Sequence, residues 1–375
     1  MALFLGFGWL MAFIGGAILA STDPVVLREI VRDHRIPRSV RQVLKIEAGM
    51  NDIVVLPVIL VLIAVAADEA ADAAAWSAFL AKLLLVGPAV GFAIGGLGSW
   101  VMAKIDTRMG VRMEHQALYG VGLVLASYTA ATAAGGDGFL GAFFAGLAVV
   151  VLNQRLCDCF LDYGEVTSEM AMLLAFVLFG AVLSGIIDTV SVGPTIALAA
   201  LVVFVIRPSV LGLLLARANL SWEAHAFVSW FGPRGLNSLL LALLVVQAGI
   251  VGSELLMATV GVVVLVSVVV HGAASTPASA WYGRRAARET LAEERESTVA
   301  GLFSHEEEQV PRVTPAELSR RLTGPNPPLI LDVRSRSTFQ AGPWQVPGSV
   351  RLLPDDVAEW AAGQPTDRPV VAYYA

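Results

Sequence analysis

The sequence predicts an all-α polytopic membrane protein that ends in a small α/β segment. Three observations predict it. The 375 residues are 56% hydrophobic and only 15% charged, with a mean hydropathy of +0.71. Apolar stretches of about 20 residues recur along the chain. The charges gather between those stretches, and their sign alternates from one connection to the next.

Function classes drop out at this level. The net charge is -6, and no basic face with interleaved aromatics suggests a nucleic-acid partner. The two cysteines, Cys157 and Cys159, are too few for a disulfide framework. A lone Cys-x-Cys pair is a poor metal site, so they read as thiols in a reducing compartment.

About nine spans are expected, near residues 1–20, 42–66, 76–103, 115–134, 138–153, 167–188, 191–217, 224–248 and 252–279. The first lacks a basic leading segment and runs into Asp23-Pro24, so it reads as a membrane helix rather than a signal peptide. Arg28, Arg32, Arg35, Arg38, Arg41 and Lys45 make the first connection basic, whereas Asp68, Glu69 and Asp72 make the next acidic. Lys104, Arg108 and Arg112 follow, then Asp137, then a mixed loop with Arg155, Asp158, Asp162 and Glu165. Asp188, Arg217, Glu254 and the Arg284, Arg285, Arg288 group complete the alternation. The positive-inside rule puts the C-terminal tail in the cytoplasm and, with an odd number of helices, Met1 outside. The expected location is the cell (inner) membrane, with the lipid bilayer as a partner.

Three regions follow: a transmembrane domain over 1–280, a charged linker over 281–310 and a soluble segment over 311–375. In the last, Thr314 reads as a helix N-cap with Pro315 at the first helical position and Glu317 as capping-box partner. The run Pro328 to Arg334 and the run Arg368 to Ala375 read as buried strands, with a short helix between them near Asp355 to Ala362.

Three places carry polar groups inside apolar spans, where an ionisable residue points to function. The first is Ser21-Thr22-Asp23-Pro24. Pro24 cannot donate a backbone hydrogen bond and breaks a continuing helix. Asp23 fits either a ligand beside that break, where freed carbonyls can face an ion, or a cap at the end of a span. The second is Glu47, Asn51 and Asp52. Glu47 and Asn51 are four apart and share a helix face, while Asp52 points somewhat away. Burial favours the neutral form of a carboxylate, so such a group can load a proton or a cation but not both. Asp52, Thr22 and backbone carbonyls offer the oxygen ligands a hard cation such as Na⁺ prefers. The alternative is an Asp52 solvated at the helix entrance.

The third place is a pair of arginines. Arg207 is flanked by apolar residues on both sides and stays charged, so it needs a partner; Glu47 is the best candidate. Arg234 lies among Gly232, Pro233 and Gly235, a second expected helix break, as an inverted repeat would produce. It fits that break or a snorkelling loop residue.

Taken in order, Thr22-Asp23-Pro24, Glu47 to Asp52, Arg207 in Ile-Arg-Pro-Ser, and Gly232 to Gly235 resemble the motifs of the monovalent cation:proton antiporter-1 family, the sodium/proton exchangers. The resemblance covers residues 1–280. It implies inverted repeats, two broken helices and exchange of Na⁺ or K⁺ for H⁺ by a secondary transporter, not an enzyme, with no cofactor. The Asn-Asp form resembles the electroneutral members. Asp52 would carry cation and proton in turn, with Asn51, Thr22 and Asp23 around the ion. Glu47 and Arg207 would form a structural pair, with Pro24 and Arg234 at the breaks. Ala48 stands where the motif has serine. Family members carry further helices ahead of the Thr-Asp-Pro segment, so the first helices are expected to be missing here, through a misassigned start or a fragment; with them, a homodimer is implied. The tail resembles the opening of a rhodanese domain around Asp332-Val333-Arg334, without the catalytic cysteine in this sequence. Two other readings stay open: a membrane-anchored rhodanese-type sulfurtransferase or sensor, and a truncated, inactive antiporter remnant.

Overall fold

The computed structural model describes the chain outside residues 34, 68–71, 219, 289–312, 325–326, 343, 354–355, 365–368 and 374–375. Each apolar stretch contains helix. Among the described residues, five helical stretches are long and apolar enough to cross a membrane: Arg38–Ala66, Ala74–Met109, Thr167–Thr189, Val192–Arg217 and Ser253–Arg288. Trp9–Ala20, Gly138–Leu152 and Leu236–Gln247 are shorter apolar helices, and Met113–Ala133 is a further helix of 21 residues.

Several boundaries differ from the sequence reading, each for a local reason. The stretch 1–20 is two helices, Ala2–Leu5 and Trp9–Ala20, because Gly6 turns left-handed at φ 69° and ends the first. The stretch 224–248 is also two, Trp222–Trp230 and Leu236–Gln247. The mixed loop expected around Arg155, Asp158, Asp162 and Glu165 is helical, within Gln154–Ile186. Asn153 caps that helix by accepting from the Leu156 N–H at 3.0 Å, so it starts ahead of the apolar run. Cys157 and Cys159 fall in this helix, their side chains outside the described residues. Most of the basic segment Arg28 to Lys45 is helical too, in Pro24–Arg32 and Arg38–Ala66. The last membrane helix continues past residue 280 to Arg288.

The chain forms two compact units interleaved in sequence. The first comprises Met1–Ser21, Met50–Leu198 and Arg234–Val264. Its tightest contact pairs helix Gly87–Met109 with Gly138–Leu152. Gly91 lies against the Gly141 carbonyl and Gly95 against the backbone of Ala145, so close that a Cβ at either glycine would overlap the facing helix. Lipid supplies no hydrophobic drive between helices, and small residues allow this approach. Asp137 starts Gly138–Leu152 by accepting from the Leu140 N–H at 2.8 Å.

The second unit comprises Thr22–Gly49, Ala199–Pro233 and Leu265–Ala375. Its core packs Leu27, Ile30, Ile36, Leu44, Phe227, Phe231 and Tyr282, all buried. Its tail holds a three-stranded parallel sheet in the order β2-β1-β3, with β1 Leu329–Asp332, β2 Val350–Arg351 and β3 Val370–Tyr373. Thr314 caps helix Pro315–Leu322 as expected, accepting from the Glu317 N–H, while the Glu317 carboxylate pairs with Arg321 one turn on. The helix expected near Asp355 runs from Val357 to Ala362. Strand β2 and the helix Arg336–Ala341 are too short to carry a readable period.

Candidate functional site

A broken helix in lipid leaves backbone carbonyls that must find donors within the protein. Within the second unit, helix Trp222–Trp230 ends before Phe231. The carbonyls around that end are taken one by one. Arg207 donates from Nη2 to the Phe231 carbonyl at 2.6 Å and, more weakly, to that of Val228 at 3.4 Å. His271 Nε2 lies 3.1 Å from the Trp230 oxygen. The Asp23 N–H donates to the Pro233 carbonyl at 2.9 Å.

Arg207 also carries the ion pair. Its Nη1 lies 2.6 Å from Glu47 Oε1 and its Nη2 2.8 Å from Oε2. This bidentate fork is the strongest arrangement open to these two groups. The Arg207 side chain is 5% exposed and that of Glu47 19%. Thr22 Oγ1 stands 3.5 Å from both Glu47 Oε1 and Arg207 Nη1. Thr22 and Asp23 are buried, at 0% and 2% exposure. Gly232 is fixed by the same guanidinium: a Cβ there would overlap Arg207. The π-helical turn Leu201–Ile206 leads directly into Arg207. Pro208 accounts for it, since proline removes one ladder hydrogen bond and crowds the preceding turn.

Within the first unit, helix Trp9–Ala20 ends at Ser21. Arg234 donates to the Ser21 carbonyl at 3.1 Å and to that of Ala20 at 3.3 Å. Ser238 donates to the Ile18 carbonyl at 3.1 Å. Arg234 is buried at 7% exposure, so it seals a helix end rather than snorkelling. Pro24 opens helix Pro24–Arg32, where the missing N–H costs nothing.

Asn51 and Asp52 lie in helix Arg38–Ala66, one turn beyond Glu47. Asn51 is half-buried, and the side chains of Asp52 and Pro24 lie outside the described residues. The structure therefore brings Thr22, Glu47 and Arg207 together and ties the Asp23 backbone to Pro233. Sequence reasoning did not single out His271. It is 1% exposed, with Nδ1 2.8 Å from the Ser267 carbonyl and its ring against Trp230. The signal was present: one ionisable residue in an apolar run.

The sodium/hydrogen exchanger transmembrane family model matches residues 1–281, and the chain belongs to that family. It is 28% identical over 285 residues to the K(+)/H(+) antiporter NhaP of Alkalimonas amylolytica, an alignment covering 74% of this chain and 48% of that protein. It is 24% identical over 254 residues to the Na(+)/H(+) antiporter ApNhaP of Aphanothece halophytica, covering 64% and 47%. The chain thus spans about half the length of the curated relatives it matches. Among solved structures, the sodium proton antiporter MjNhaP1 of Methanocaldococcus jannaschii shares the fold, with a TM-score of 0.58 at 18% identity, covering 75% of this chain and 74% of that one.

Proposed function

We propose that this chain exchanges Na⁺ or K⁺ for H⁺ across the inner membrane as an electroneutral secondary transporter, with Asp52 holding the cation and the proton in turn. Asn51, Thr22 and Asp23 supply further oxygens, and with Na⁺ the Thr22 hydroxyl is a direct ligand. The observation that carries this reading is the Glu47–Arg207 pair beside a helix interruption. Arg207 occupies both oxygens of Glu47, and in this reading Asp52, the other carboxylate of that helix, trades the ions. Arg234 and Pro24 hold the breaks open. The relatives named as K(+)/H(+) and Na(+)/H(+) antiporters support the reaction class and leave both cations in play.

In the same reading residues 1–280 form the transport domain, the protein is a homodimer when the family's leading helices are present, and the tail beyond a linker is cytoplasmic and rhodanese-like. The parallel strand order β2-β1-β3 and the Asp332-Val333-Arg334 turn support the last assignment. Exchange in inverted vesicles tests the central role: Asp52→Asn abolishes cation-dependent proton movement while inserting at wild-type level. Unchanged exchange in that variant rejects it.

A further inference from the structure

The end of the last membrane helix carries Arg284, Arg285 and Arg288. A cavity of about 610 Å³ opens there within the second unit, lined by Arg35, Arg284, Arg288, Arg336 and Arg351, with Phe339 on one wall. No carboxylate lines it among the described residues. Arg35 is balanced by Asp33 through a bidentate pair at 2.7 to 3.0 Å, and its stem packs over Gly283. Arg351 reaches Asp332 at 3.5 Å, but that carboxylate is already forked by Arg334 at 2.7 and 2.9 Å. One acid thus faces two guanidiniums. Arg284 and Arg288 have no carboxylate partner among the described residues.

Two further features point the same way. Arg284 and Arg288 are four apart on one helix face, a like-charge placement that destabilises a helix unless an anion lies over it. Burial, joined by the positive charges of Arg334 and Arg336, pulls the Arg351 guanidinium below its ordinary value despite the help of Asp332. Guanidiniums match phosphate oxygens in pairs, and the cavity has the size of a small-molecule site rather than of a single ion.

We propose that this cavity binds a phosphate-bearing anion, held by Arg284 and Arg288 from the membrane helix and by Arg336 and Arg351 from the tail. Two sources share that chemistry: a soluble polyphosphate, and the headgroup of an anionic lipid at the membrane surface. The site stands independently of the exchange reaction.

Thermal unfolding of the full chain in neutral detergent tests the site, with inorganic pyrophosphate or short-chain phosphatidylglycerol as probe. A saturable rise in midpoint with pyrophosphate identifies the soluble ligand; a rise with phosphatidylglycerol alone identifies the lipid. In either case the Arg284→Gln/Arg288→Gln variant needs at least about tenfold more probe for half-saturation. Arg217→Gln, which removes an exposed arginine outside the cavity, leaves half-saturation unchanged. Arg336→Gln weakens the same probe from the tail side, and it decides the matter if the double variant does not fold. The proposal is overturned if neither probe gives a saturable shift. It is equally overturned if the cavity variants keep wild-type half-saturation, or if Arg217→Gln weakens the probe as much as they do.

Discussion

Arg207 performs two tasks with one guanidinium. It neutralises Glu47 and seals the carbonyl end of a broken helix. Removing one partner of a buried pair strands the other charge, at a cost of about 3–5 kcal/mol. Glu47→Gln and Arg207→Met should each destabilise the protein by that order in detergent unfolding. The double variant should fall short of their sum by about 0.5–3 kcal/mol, the energy the two side chains share. Strict additivity would show that the pair is not an energetic unit. At this scale the sequence was informative, because an arginine in an apolar span demands an acid and Glu47 was the acid without a local mate. The carbonyl partners of Arg207 and Arg234 were not legible. Backbone oxygens have no signature in sequence, and only the fold decides which ones a break sets free.

The elements follow one rule: where a helix stops inside the apolar layer, a side chain remote in sequence takes its last carbonyls. Arg234 and Ser238 serve helix Trp9–Ala20, and Arg207 and His271 serve helix Trp222–Trp230. Pro24, Gly232, Pro233 and Gly235 made both interruptions readable, because proline and glycine act on the backbone directly. The helical run through Arg155 to Glu165 was not readable, since polarity mimics a loop when the cap at Asn153 is overlooked. Elsewhere the helices meet through glycine. In Gly91→Leu the side chain must displace helix Gly138–Leu152 from the Gly141 carbonyl. Overpacking of this kind costs about 1–3 kcal/mol. A lowered unfolding midpoint, with Gly96→Leu at a roomier position much milder, is the expected outcome.

At the scale of the whole molecule, hydropathy and charge alternation made the membrane character legible, while the interleaving of two units in sequence was not. That division depends on long-range packing, which no local pattern encodes. The tail has its own electrostatic anchor in Asp332. Burial alone would raise its carboxyl, but hydrogen bonds from Arg334 and the charge of Arg351 outweigh it and bring the group from 3.8 down to about 2. A depressed acid contributes stability that is complete above its unfolded value and is lost as pH falls through the folded one. Amide protection over β1 should therefore hold steady above pH 3.8 and decline towards about pH 2. Asp332→Asn should flatten that decline.

The proposed exchange requires Asp52 to hold a proton and a cation in alternation, and proton release measures this most directly. Na⁺ or K⁺ is added to the purified protein in weak buffer, and the pH is followed. The account predicts saturable acidification by at least one of the two cations, and none from Asp52→Asn. Equal proton release from wild type and Asp52→Asn would contradict it.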